Sequence, residues 1–225
     1  MSQRVSFYVN KYIEGDPTIK VGLQRGLITS RILTKHIIEE EHEFKGNFDD
    51  VRNAVRKYSD EKVPIFDFKN AYTSFKSSYV DVKSKLAFIE INRKQTTKDI
   101  PKMIGGLSVN SEKFIRISNN KKSLIVMVKE EDLNEISKSI KTEEVVAIQK
   151  GITSITVYLD PSVKFTPGVY FLIMGQISLN QINIYDVSSY KNEFTLYVDQ
   201  KDGAKVHNLL HELIEYQQKF CSPKG

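Results

Sequence analysis

The chain has 225 residues, 40% of them hydrophobic and 27% charged, with a net charge of +5. That composition excludes a disordered or fibrous chain and gives room for two or three small domains. Its one cysteine, Cys221, has no intrachain partner, which excludes a disulfide framework and predicts a reducing, cytoplasmic setting.

The apolar runs at 124–128 and 169–174 fall well short of the ~20 residues of a membrane span, and the opening MSQRVSFYVNKYIEGD has no signal-peptide core; no membrane partner is expected. The positive excess lies in the first two thirds of the chain. It suits nucleic-acid contact and equally a soluble surface.

Val5, Tyr8, Val9 and Tyr12 recur at three- and four-residue spacing and predict a helix over 3–14, ended by Gly15-Asp16-Pro17. Pro17 opens a short second helix that Gly26 stops. Thr29 or Ser30 caps a third, with Ile32, Leu33, His36, Ile37 and Glu40 expected on its inner face. Asn47 caps a fourth from Phe48, with Asp49 and Asp50 at its positive end. Phe48, Val51, Val55 and Tyr58 share one face of it, and Arg52, Asn53, Arg56 and Lys57 the other.

The pair ITSRILTKHI and FDDVRNAVRKY resembles the helix-turn-helix of winged-helix proteins. Together with PTIKVGLQRGL it is similar to the head of archaeal proteins that join a winged-helix-like segment to ACT domains. The resemblance implies double-stranded DNA as a partner, read by the second helix through Arg52, Asn53, Arg56 and Lys57. Glu39, Glu40, Glu41 and Glu43 in the connection repel phosphate, no wing is legible over 62–68, and a helical packing or dimerisation module is the other reading.

A strand over 79–91, a helix over 97–107, strands over 113–118 and 123–129 around a turn at Asn119-Asn120 suited to positive φ, a helix over 130–140 and a short strand over 145–149 give the order βαββαβ. The order repeats. Ile155, Val157 and Leu159 alternate on a strand; Thr166 is expected to cap a largely buried helix with Pro167 at its first position. Strands follow through Ile182, Ile184 and Val187 and through Phe194, Leu196 and Val198, and a helix over 201–220 closes the chain. His207, His211 and Glu215 on that helix lack the order of a zinc-protease motif and form a solvated face. No nucleophile motif occurs; neither catalysis nor a cofactor is expected.

The segment ITVYLDPSVKFTPGVYFLIMGQISLNQINIYDVSS, with NEFTLYVDQKDGAKVHNLL after it, resembles an ACT domain of the aspartokinase regulatory type. The predicted fold is therefore α+β. A helical, winged-helix-like domain over 1–68 precedes two tandem ferredoxin-like βαββαβ ACT units, a degenerate one over 79–150 and an ACT domain over 151–225 whose fourth strand is missing from the end of the chain.

The resemblance implies a homodimer and a small-molecule effector, an amino acid, held by Asp160, Val163, Phe165, Thr166, Pro167, Gly168, Val169, Asn183 and Ile184. Elementary chemistry agrees: amides at a helix start attract a carboxylate, and Gly168 allows close approach. The function expected is an amino-acid-sensing transcriptional regulator; the alternative is a module that controls a partner enzyme through ACT-ACT contacts without touching DNA. Because the strand opening at 152 is left without its outer neighbour, the first sheet unit or a second molecule is expected to pair with it.

Overall fold

The structure, a computed structural model, describes residues 2–40, 47–61, 67–92, 114–138, 140 and 144–220. The helix expected over 97–107, Glu41 and Glu43 of the acidic connection, residues 62–66 of the stretch without a legible wing, and Cys221 lie outside them. The chain divides into two compact units, Met1–Phe66 and Asp67–Gly225.

The first unit contains α1 (Ser2–Gly15), α2 (Pro17–Gln24), α3 (Ser30–Glu40) and α4 (Phe48–Asp60), and no strand among its described residues. Asp16 caps α2 by accepting from the Thr18 and Ile19 amides, and Asn47 caps α4 by accepting from Asp50 N–H at 2.8 Å. One core joins them: Val5, Val9 and Ile13 of α1, Leu33 and Ile37 of α3, and Val51, Val55 and Tyr58 of α4 are all buried. Each such side chain contributes about 1.5–3 kcal/mol. The inner face of α3 is narrower than expected: Ile32, His36 and Glu40 are exposed. Thr34 is buried instead, its hydroxyl satisfied by Ser30 C=O at 2.7 Å, because a threonine that bonds back along its own helix can enter an apolar core.

The second unit opens with the short α5 (Phe68–Thr73) and holds one antiparallel six-stranded sheet, β1 (Tyr79–Asn92), β2 (Ile115–Asn119), β3 (Ser123–Lys129), β4 (Val145–Tyr158), β5 (Ile184–Tyr190) and β6 (Glu193–Asp199), in the order β2-β3-β1-β4-β6-β5. Among the described residues three helices accompany it: α6 (Leu133–Lys138), α7 (Val169–Leu179) and α8 (Gly203–Phe220). Two strands, β1 and β4, are each 14 residues long and pair along both their halves. Residues 86–92 of β1 also pair with β3, whereas residues 152–158 of β4 also pair with β6. Each long strand therefore serves both ends of the sheet.

This sharing answers where the missing strand is. Residues 79–83 of β1 lie antiparallel against 154–158 of β4, with Val80 opposite Val157 and Val82 opposite Ile155. They occupy the edge of β4 where an outer neighbour was expected. The short strand expected over 145–149 and the one expected from 153 are one continuous strand, because Gly151 at φ 72° bends the chain without ending the pairing. Lys85 at φ 59° does the same in β1. Asn119 and Asn120 keep negative φ, and Asn120 N–H closes the hairpin on Ser123 C=O; in the β5–β6 hairpin Lys191 takes the positive φ.

Period-2 alternation sorts the sheet into two faces. Ala87, Ile89, Ile91, Val126 and Val128 form one core with Leu133, Ile136 and Ile140 from the α6 side. The opposite face carries Leu86, Met127, Ile152 and Tyr197, packed together with Phe88 and Phe114. The sheet curls about this second face until its two outermost strands meet: Arg116 Nη1 on β2 lies 3.2 Å from Asp186 Oδ2 on β5.

Candidate functional site

The loop between β4 and α7 carries most of the residues expected to hold a ligand. Asp160 accepts from Ser162 N–H at 3.0 Å and from the Ser77 hydroxyl at 2.8 Å, while its own N–H donates to Ser74 C=O. The Ser162 amide, followed by the Ser162 and then the Ser77 hydroxyl, holds its carboxyl below the usual carboxylate range. Asp160 thus caps the 3-10 turn Pro161–Phe165 and ties it to the turn that follows α5. Val163 is buried under that turn.

Thr166 does not cap α7. Its hydroxyl donates to Ser162 C=O and its N–H to Val163 C=O, so it closes the preceding turn, and Pro167 lies in the turn outside the helix. The N-cap is Gly168, left-handed at φ 95°, which lays no side chain over the first turn of α7. Val169, Ile173 and Ile177 are the buried stripe of α7; Tyr170, Phe171 and Leu179 are exposed. That helix is half-wrapped, not enclosed. Tyr170 stacks on Phe194 at 4.5 Å and its hydroxyl meets Ser189 of β5. Asn183 is exposed just before β5, and Ile184 opens the strand.

In the helical unit, Asn53, Arg56 and Lys57 are exposed on α4 and Lys57 lies 3.8 Å from Glu61. Arg52 is engaged differently. It pairs with Asp49 at 2.9 Å, stands over the Phe48 ring, and its Nε is buried. The four side chains share a helix but are not equally available. On α8, His211 and Glu215 are exposed and His207 stacks on His211 at 5.9 Å. Among the described residues no three His, Cys, Asp or Glu converge as a metal site, and no helix is long and apolar enough to cross a membrane.

One feature was not foreseen from the residues. On the sheet face opposite Ala87, Ile89 and Ile91 a hollow of about 300 Å³ is lined by Phe88, Glu90 and Gln149 from its middle and by Tyr185 and Asp186 from β5. The signal was present in LAFIEIN: period 2 places Phe88 and Glu90 on the face opposite Ala87, Ile89 and Ile91, so a carboxylate follows Leu86 and Phe88 on that face.

Solved structures similar in fold include aspartokinases and their regulatory subunits. A chain of the aspartokinase alpha and beta subunits shares 13% identity over 60% of this chain and 97% of its own, at a TM-score of 0.50. The ligand-free regulatory subunit of aspartate kinase from Thermus thermophilus shares 11% over 60% and 95%, also at 0.50. Aspartate kinase from Synechocystis gives 16%, 76% of this chain but 32% of its own, and 0.51, so the chain spans about a third of that enzyme's length. No family model matches the chain, and no curated protein matches it in sequence. The fold shared with them is a mixed helix-and-sheet one with a curled antiparallel six-stranded sheet, similar to that of aspartokinase regulatory domains.

Proposed function

We propose that the protein is a ligand-responsive regulator built as a winged-helix-like head on two tandem ferredoxin-like ACT units, and that its effector is an amino acid. The observation that carries the reading is Gly168, which turns the chain left-handed into α7 and leaves the helix start without a side-chain cap, where amide groups and the helix dipole attract a carboxylate. Asn183 and Ile184 at the start of β5, with Val169, Thr166 and Pro167, form the remainder of the site, and Phe165 and Val163 support it. Asp160 holds the loop in shape and retains lone pairs for an ammonium group.

Binding between two arrangements of the sheet units, or of two copies in a homodimer, biases the placement of the heads by the difference in affinity, typically 1–3 kcal/mol. The heads contact duplex DNA through Arg56, Lys57 and Asn53; Arg52, paired with Asp49, positions α4.

The test is thermal unfolding of the intact chain against single amino acids at millimolar concentration. A ligand at 100 times its dissociation constant adds about 2.7 kcal/mol and moves the midpoint by several degrees. The shift should vanish in Asn183→Ala and Gly168→Ala; if no amino acid shifts the midpoint, the sensor reading fails.

The alternative, a module that controls a partner enzyme without DNA, is supported by the exposed tyrosines Tyr185 and Tyr190 on the outermost strand β5, aromatic surface of the kind that protein partners cover. DNA binding with a salt slope that Arg56→Ala and Lys57→Ala reduce by about 1 each excludes that alternative.

A further inference from the structure

We propose that the hollow on the Phe88 and Glu90 face of the sheet binds a small organic cation, an amine or guanidinium on a short hydrocarbon chain. This site goes beyond the loop at Gly168 and stands without it, because α7 and α8 pack on the other face.

The register builds the floor. Ser118, Ile125, Glu90 and Ala147 stand abreast on β2, β3, β1 and β4, and Phe88 and Gln149 stand abreast in the next row. The curl of the sheet then adds Tyr185 and Asp186 from its far edge. At about 300 Å³ the space is at the lower end of ligand pockets, the size of an amino acid or a diamine.

Charge selects the occupant. Two carboxylates line the hollow, and one is answered: Asp186 has Arg116 at 3.2 Å, and the Arg116 guanidinium is itself held 4.7 Å over the Tyr197 ring. Glu90 is half-buried and has no partner among the described residues. Its neighbours across the ladder, Ile125 and Ala147, cannot supply one.

The second half of the sheet shows the neutral solution to the same geometry. There Thr156 replaces Glu90, Thr195 replaces Ile125, and the two hydroxyls bond at 2.9 Å. In the first half a carboxylate is left facing a partly apolar cavity, a costly arrangement unless a cation completes it. Phe88 and Tyr185 supply aromatic surface for the cation and its methylenes, and the Gln149 amide and Ser118 hydroxyl supply polar contacts.

The probes are agmatine, cadaverine and lysine, with norleucine and glutarate as neutral and anionic controls, titrated calorimetrically into the full chain at low salt. At least one cation should bind saturably while both controls do not. Glu90→Gln should weaken it at least about tenfold, as loss of a charge-assisted hydrogen bond does, and Ala147→Leu, which fills the hollow from an exposed position, should abolish it. Gly168→Ala should leave it unchanged, while Glu90→Gln leaves any response of the Gly168 loop unchanged, so the two sites fail separately. The proposal is overturned if no cation binds the unaltered chain, or if Glu90→Gln and Ala147→Leu both bind with full affinity.

Discussion

Arg116 and Asp186 occupy the same position in the two halves of the sheet and touch each other. Arg116 lies opposite Met127, which lies opposite Phe88; Asp186 lies opposite Tyr197, which lies opposite Ser154. The equivalence extends along the strands: Leu86 and Ile152 each follow a positive-φ residue, Lys85 and Gly151, and pack with Met127 and Tyr197 in one cluster. A position repeated with the same charge would repel itself where the edges meet. Here one copy is a cation and the other an anion, so the curl is closed by a contact between quasi-equivalent sites.

This makes the pair testable by exchange. Both side chains are partly exposed, at 26% and 35%, and the contact has ion-pair distance without hydrogen-bond alignment at Nη1. A coupling of about 0.5–1 kcal/mol is therefore expected from a double-mutant cycle in urea. Arg116→Asp alone and Asp186→Arg alone should each cost more than that, by placing like charges together, and the double exchange should recover most of the loss. An additive double exchange would mean that the edges are held by packing alone.

Lys85 and Gly151 should respond oppositely to substitution. Lys85→Gly relieves a left-handed lysine and should be neutral to stabilising by up to about 1 kcal/mol, the relief outweighing the added chain entropy. Gly151→Ala should cost about 1 kcal/mol, and that cost is conformational, since an added Cβ meets nothing within 4 Å. Equal signs for the two changes, measured by chemical unfolding, would reject the equivalence of the two bends.

These bends also explain what the sequence left hidden. Alternation through 145–149 and again from 152 is plain in the residues, and so are most helix faces. Lys150-Gly151 looks like an interruption, yet the left-handed residue only shifts the register, and the pairing resumes on both sides of the bend. The filling of the second unit's edge by residues 79–83 rests on pairings about 75 residues apart in the chain, which no local pattern encodes. TPG looked like a cap followed by a first-turn proline, but glycine's access to positive φ moved the cap to Gly168. Glu90 was legible as a carboxylate on the same strand face as Leu86 and Phe88; the hollow beside it needed the curl.

Acid should weaken the helical unit through Glu14. Lys20, first, and then the Tyr58 hydroxyl donate to its carboxylate and hold it below the usual range. A depressed carboxyl contributes stability above its unfolded pKa, near about 4, and loses it as pH falls through the folded value. Tyr58 gives the opposite limb. Burial, then its bond to Glu14, raises its pKa, so its contribution is complete below about pH 10 and declines as pH rises beyond that. Glu14→Gln should flatten the acid limb of the midpoint against pH, and Tyr58→Phe the alkaline one. Limbs unchanged in both variants would place the titrating groups elsewhere.

The last prediction uses size in place of charge. Ala87 and Leu133 are buried in one half of the sheet, and at the matching positions of the other half stand Thr153 and Gly203, also buried. A Cβ on Gly203 would meet Thr153 Cγ2 at 3.0 Å and its Cβ and Oγ1 at 3.2 Å, closer than packed atoms sit. The larger strand residue is matched by the smaller helix residue. Gly203→Ala should therefore cost about 1–2 kcal/mol by overpacking at the start of α8, even though alanine is the better helix former by roughly 1 kcal/mol. Thr153→Ala should cost little, because its hydroxyl bond to Ser84 is long at 3.2 Å, and in that background Gly203→Ala should turn neutral or stabilising. A Gly203→Ala cost that persists unchanged in Thr153→Ala, read from urea midpoints, would show that the two halves are not packed by the same rule.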